Sequence, residues 1–380
     1  MRDLSIYEDD LILATHGRSF WILDDISPLR QIKADTADTS NLLFKPAPAY
    51  RVRRSTYTDT PMPPDEPAGE NPPNGAIIDY VLAQRASNPV TLEIHDSQGK
   101  LVRKFSSNDK PDQTEEEIAK QLIPLYWIRA QKILSADAGM HRWVWDLHYP
   151  APVALRHEYP ISAVPHDTPR RPLGPRALPG NYTVKFTAGD ASFSEPLIVR
   201  MDPRVKTQPE GLRALFAMQT TLADRMTRSS EAVVQARSIH EQLEKVAARA
   251  NESTKGAIES LDKKLGALLE GAPAPVPQKP PTPAAAPVPP VPAESTLPQV
   301  ATNVAALYAE IDRADVAPTP AQDQALVTVE KDFTATMKRW DALRTSEIPS
   351  LNRQLKNAGL PELTAESNVR IEEELGDDEE

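Results

Sequence analysis

Cysteine is absent from all 380 residues, which excludes disulfides, thiolate metal sites and thiol catalysis together. The compartment stays open, because a chain without disulfides suits cytosol and periplasm alike. Long apolar runs are missing as well. No stretch reaches the length that crosses a bilayer, and Met1 to Asp10 carries acids where a secretory signal needs an apolar core. No membrane span and no ordinary export signal are therefore expected. An excess of positive charge is also lacking: 43 Lys and Arg stand against 54 Asp and Glu, a formal net charge of -11. Seven acids lie between Glu372 and Glu380, leaving a nearly neutral -4 for the rest of the chain. Arg51, Arg53 and Arg54 cluster, but no basic stripe follows them, so nucleic acid is not an expected partner.

Glycine is scarce, 14 residues against 38 Pro, and much of the proline falls in one segment. Residues 272–298 contain eleven prolines and read as a polyproline-like spacer. The seven His include no pair at H-E-x-x-H spacing, and without Cys nothing completes a zinc site. No G-x-S-x-G marks a nucleophile elbow. His141 and His148 flank a Trp-containing strand on its polar side and read as surface histidines. His240 falls on a helical stripe and reads as packed at a bundle edge. No catalytic, cofactor-binding or metal-ligating residue is assigned, and no cofactor is expected.

The periodicity that is present divides the chain. Leu11 to Thr15 and Ser19 to Leu23 are apolar runs split by His16-Gly17-Arg18, the pattern of a hairpin that needs a larger sheet to join. Residues 46–75, rich in Pro, Asp and Asn, read as an extended connector. Period-two alternation follows. Val90, Leu92 and Ile94 share one face, as do Trp143, Trp145 and Leu147, and then Tyr182, Val184 and Phe186, before a last strand from Ser192 to Met201. An immunoglobulin-like β-sandwich over 76–203 is the economical arrangement. It is interrupted by a capped helix opening at Thr114-Glu-Glu-Glu117 and by a long excursion over 150–180 that carries His157 and His166.

After Pro203 the period becomes about 3.6 residues. Leu212, Leu215, Leu222, Met226, Val233, Ala236 and Leu243 make one long stripe, and Ile258, Leu261, Leu265 and Leu268 a second. Capping boxes at Thr296-Leu-Pro-Gln299 and Thr319-Pro-Ala-Gln322 open two more helices, with stripes Val300, Val304, Leu307, Ile311 and Leu326, Val329, Phe333, Met337, Trp340, Leu343. Narrow stripes of this kind predict an antiparallel helical bundle.

The motifs Thr15-His-Gly-Arg-Ser-Phe-Trp-Ile-Leu-Asp-Asp-Ile26 and Leu43-Phe-Lys-Pro46 resemble the last blade and exit of bacterial sortilin-like β-propeller proteins, also described as BNR-repeat or glycosyl-hydrolase-like. In order, Asn74-Gly-Ala-Ile-Ile-Asp-Tyr80, Ala138-Gly-Met-His-Arg-Trp-Val-Trp-Asp-Leu147 and Leu178-Pro-Gly-Asn-Tyr-Thr-Val184 are similar to the sandwich that follows such propellers. The Gly139 and Trp145-Asp146 pattern also resembles the immunoglobulin-like module of flagellar hook-capping proteins. The resemblance implies an α+β multidomain chain: a propeller last-blade remnant over 1–45, a linker over 46–75, the sandwich over 76–203, a helical hairpin over 204–271, the Pro-rich linker over 272–298, helices completing the bundle over 299–362, and an acidic disordered tail over 363–380. It also implies a secreted or periplasmic setting.

The family label invites a search for paired carboxylates, and Asp24, Asp25 and Asp146 are the nominees. Asp24 and Asp25 are adjacent, and adjacent strand residues point to opposite faces, so they do not flank one bond. Such acids at a blade end more often hold turn amides. Trp143 and Trp145 could stack on sugars, although an alternating strand favours a core role. The expectation is a non-catalytic accessory region that docks on a propeller, forms oligomers or binds a partner, either another protein or an upstream propeller chain. The alternatives are a glycosidase-like hydrolase whose active site lies in the absent propeller, and a carbohydrate-binding sandwich.

Overall fold

The computed structural model describes residues 2–32, 40–54, 63, 65–66, 69, 71–162, 164–270 and 294–365. Most of the spacer over 272–298 and of the tail over 363–380 lies outside the described residues, as does much of the connector over 46–75. The architecture is mixed α+β, with two compact units: Met1–Ala151 together with Glu158–Phe216, and Pro152–His157 together with Ala217–Glu380.

In the first unit β1 (Asp3–Tyr7), β2 (Asp10–Ala14) and β3 (Phe20–Leu23) form an antiparallel sheet in that order. The predicted hairpin is there, and a strand ahead of it joins the sheet. Leu4 and Ile6 alternate with Ser5 and Tyr7 in β1, which is the local signal for that strand.

Two further sheets share one apolar core. The smaller runs β4 (Leu42–Leu43), β6 (Ala76–Leu82), β9 (Gly139–Trp145). The larger runs β5 (Ala49–Arg51), β11 (Ala191–Met201), β10 (Gly180–Ala188), β7 (Thr91–Asp96), β8 (Leu101–Ser106). Val90, Leu92 and Ile94 meet Val184 and Phe186 in the interior, and Trp143 and Trp145 enter from the opposite sheet, all of them buried. Burial of residues this large contributes roughly 1.5–3 kcal/mol each. Strand β5 pairs parallel with β11, Val199 opposite Ala49. The segment predicted as a connector thus supplies a sheet edge, and a three-residue strand is too short to show a period. Gly75 stands where the chain enters β6 at φ 144°, and a Cβ there would run into the Trp145 carbonyl.

The excursion after β9 is hydrogen-bonded to the segment between β8 and β9. Arg129 donates from Nε to Asp167 Oδ1 at 2.8 Å, and Tyr159 Oη donates to Gln113 Oε1 at 2.7 Å. The capped helix α1 (Glu115–Ala119) has both bonds of its capping box.

Helix α2 (Pro209–Ala247), whose first residues to Phe216 belong to the first unit and the rest to the second, carries the long stripe, and every predicted position in it is buried. The stripe of α3 (Glu252–Leu269) is buried throughout as well. Helices α4 (Leu297–Ile311) and α5 (Pro320–Ala342) open on the predicted Thr296/Gln299 and Thr319/Gln322 boxes, each with Pro in the first turn. A π-helical turn over Leu343–Glu347 leads into α6 (Ile348–Asn357). Arg225 and Arg228 lie over the Phe333 ring at 5.0 and 5.1 Å, and Arg225 Nε holds Glu330 Oε1 at 2.8 Å.

Candidate interaction surface

The N-terminal sheet is built unlike the other two. Cross-strand register puts Leu4, Leu13 and Trp21 in one row and Ile6, Leu11 and Leu23 in the next, so one face is entirely apolar. The opposite face carries Ser5, Ile12 and Ile22 in one row, Asp3, Ala14 and Phe20 in another, and Tyr7 opposite Asp10. Both faces are open: Ile6 is 57% exposed and Trp21 63% on the first, Phe20 73% on the second. Near-continuous apolar strands such as Leu11-Ile-Leu-Ala14 and Phe20-Trp-Ile-Leu23 are the composition of strands covered on both faces. Among the described residues neither face is covered.

The strands themselves are firmly closed. Thr15 Oγ1 donates to the Ser19 carbonyl at 2.8 Å and accepts from Arg18 N at 3.1 Å, while Trp21 Nε1 donates to the Arg18 carbonyl at 3.1 Å. The predicted His16-Gly17-Arg18 turn is therefore fixed by its flanking hydroxyl and indole, with Gly17 at φ 79°.

The base of the sheet is clamped by one side chain from elsewhere in the sequence. Arg142 on β9 donates through Nη1 to the Asp24 carbonyl at 2.6 Å and through Nη2 to the Asp25 carbonyl at 2.8 Å. Its Nε and Nη2 also hold Asp79 Oδ1 and Oδ2 at 2.9 and 3.0 Å, a bidentate pair across the β6 and β9 ladder. The Asp79 side chain is only 2% exposed. Burial pushes its carboxyl above the usual carboxylate range, with the Arg142 bond and charge pulling the other way. Burial alone would lower the Arg142 guanidinium, but the Asp79 bond and charge outweigh it and raise it, so the cation persists. Asp10 Oδ1 accepts from Asp25 N at 3.0 Å, and Ile26 N donates to the Asp9 carbonyl at 2.6 Å, closing the same junction.

The nominated acids do not converge. Asp24 and Asp25 lie just beyond β3 and not on a strand, with Asp25 at φ 52°, so the opposite-face expectation is replaced by a tight turn. Asp25 Oδ1 accepts from Ser27 N at 3.0 Å, the turn-amide role expected of it. Asp24 is raised by burial, then by the neighbouring Asp10 charge. Asp146 belongs to another cluster: His148 Nδ1 approaches its Oδ2 at 3.4 Å and Arg129 Nη1 at 3.7 Å. Burial works to raise Asp146, but the His148 charge and hydrogen bonding, followed by Arg129, hold it at about 2. Among the described residues no hydrogen bond or ion pair joins Asp146 to Asp24 or Asp25.

His148 is buried, not a surface histidine as its alternation predicted. Leu147 at φ 62° breaks the period-two pattern and turns His148 inward, where its carbonyl accepts from Trp145 Nε1 at 3.0 Å. His141 is partly buried, 5.2 Å from the Tyr80 ring, with Nε2 2.7 Å from the Asp137 carbonyl. His240 Nδ1 is 2.7 Å from Asp262 Oδ1. Trp143 and Trp145 are buried, which takes their rings off any surface on which a sugar could stack. Compared with protein-family models, with curated proteins and with solved structures, the chain matches none. No described helix is long and apolar enough to cross a membrane, and among the described residues no group of three His, Asp or Glu could hold a metal ion.

Proposed function

We propose that this chain is a non-catalytic interaction region of a sortilin-like β-propeller protein, and that β1 to β3 are its docking element. The observation that carries the reading is the wholly apolar row set Leu4, Ile6, Leu11, Leu13, Trp21 and Leu23, in which Leu4, Ile6, Trp21 and Leu23 are exposed and the central Leu11 and Leu13 half-buried. Monomeric proteins rarely leave a contiguous apolar patch of this kind uncovered. The open second face suits a partner that supplies sheet surfaces on both sides, as adjoining propeller blades would.

The two sheets behind it are read as an immunoglobulin-like sandwich that holds the docking element. Tyr182, at the start of β10, donates from its hydroxyl to the Leu178 carbonyl at 2.7 Å, the bond of a tyrosine corner. Buried Trp145 packs edge-on against the same ring at 5.5 Å. The helices are read as an antiparallel bundle available for oligomerisation.

Co-expression of the chain with a sortilin-like propeller truncated before its final blade, followed by affinity co-purification, is the test. A 1:1 complex lost in the variant carrying Ile6→Glu and Trp21→Glu is the expected result. Absence of any complex with the unaltered chain would sink the proposal. Hydrolysis of glycans by the isolated chain, abolished by Asp24→Asn, Asp25→Asn or Asp146→Asn, would replace it with the hydrolase reading.

A further inference from the structure

A different part of the first unit holds a small cleft of about 240 Å³ in which aromatic rings and one carboxylate converge. Its walls are the turn after β7, the Leu178 to Tyr182 corner, Tyr149 and, in the second turn of α2, Phe216. The Tyr149 and Phe216 rings stand 5.3 Å apart at 51°, forming a concave corner instead of a parallel slot. Both residues are half-buried.

Asp96 supplies the charge. Its Oδ1 accepts from Gln98 N and Lys100 N, each at 2.9 Å, which pins the carboxylate in place. Among the described residues no cation lies within ion-pair distance of it. The guanidinium of buried Arg51 donates to the Arg176 and Ala177 carbonyls at 3.2 and 2.7 Å. The Tyr149 phenol is raised by burial and then by the Asp96 charge, so the negative field reaches the aromatic wall.

We propose that this cleft binds an alkylammonium cation, with its carbon shell in the Tyr149 and Phe216 corner and its charge toward Asp96. A ring face attracts a cation within about 6 Å of its centroid, and the attraction grows as water is excluded. The tilt of the two rings suits a rounded ammonium better than a planar guanidinium, which needs parallel walls or a bidentate acceptor. The roof of the cleft is apolar, formed by Leu178 and Pro179. A methylated ammonium there meets the two rings and these apolar side chains on one side, and Asp96 with the polar Ser97, Gln98 and Asn181 on the other.

The same chemistry exists in a free choline-like molecule and in a methylated lysine side chain, so the test has both arms. The ¹⁵N-labelled full chain is titrated with tetramethylammonium chloride and, separately, with Nα-acetyl-trimethyllysine amide, against sodium chloride at equal ionic strength. Saturable amide shifts confined to residues 96–98, 149, 178, 180–182 and 216 are expected in at least one arm. A tighter lysine arm assigns the site to a protein side chain and a tighter tetramethylammonium arm to a small molecule. Asp96→Asn keeps the Oδ1 acceptor of the turn and should weaken binding about tenfold, in keeping with an ammonium held by charge and ring together. Tyr149→Leu should weaken it too, which keeps the test decisive if the first variant misfolds. Shifts that sodium chloride reproduces, or that both variants leave unchanged, overturn the proposal.

Discussion

Strands β3 and β9 each carry tryptophan, and they have met opposite fates. In β9, Trp145 is fully buried between two sheets, whereas in β3, Trp21 stands 63% exposed on a sheet whose neighbouring residues are just as apolar. The residue type is the same, and so is the local conformation. What differs is whether a second layer is present, so apolar composition marks where a layer is wanted and tertiary structure decides where one is supplied.

Removal of the buried ring has the largest expected effect. Trp145→Ala should cost about 3–5 kcal/mol in urea unfolding followed by near-ultraviolet circular dichroism. A loss below about 1 kcal/mol would mean that the β9 layer is not the core it looks to be. Next in size is Arg142→Ala, which leaves the buried Asp79 carboxylate without its bidentate partner and frees the Asp24 and Asp25 carbonyls. About 2–3 kcal/mol is expected, together with faster hydrogen exchange at the Asp25 amide that marks the base of the sheet. Unaltered exchange there would show the sheet to be anchored by other means.

A smaller effect is expected from acid. Asp146 titrates at about 2 in the folded chain, below the value of about 3.9 of an unfolded Asp. A depressed folded value means that its contribution is present above about pH 4 and is lost as pH falls toward 2. Stability measured from pH 5 to pH 2 should fall less steeply in Asp146→Asn than in the unaltered chain, and parallel curves would remove Asp146 from the account. Smallest of all, Trp21→Ala should cost the isolated chain only about 1 kcal/mol, the worth of the indole's hydrogen bond to the Arg18 carbonyl, because the ring is otherwise largely in water. A large loss would reveal a hidden layer over the N-terminal sheet.

Local pattern carried much of the fold. The alternation of Val90, Leu92 and Ile94 and the long helical stripe from Leu212 to Leu243 both follow from a single period, and the Thr296 and Thr319 caps from three-residue motifs. Features that need two distant segments were not legible. The pairing of Ala49 with Val199 joins residues 150 apart in a strand too short to show alternation. The Asp79 and Arg142 clamp is a cross-strand pair with no local signature, and each partner alone looks like an ordinary polar residue on the outer side of its strand. His148 failed for a third reason: one left-handed residue, Leu147, reset the period just before it. The N-terminal sheet was legible as a hairpin, but its openness on both faces is a property of what does not pack on it.

Because one guanidinium holds the carbonyls of both Asp24 and Asp25, the N-terminal sheet is presented at a set angle to the strands that carry Arg142 and Asp79. Orientational freedom is surrendered while the chain folds and need not be surrendered again at an encounter. The clamp would thus act on the speed of recognition: loosening it should leave the apolar rows intact yet lower the fraction of collisions that are productive.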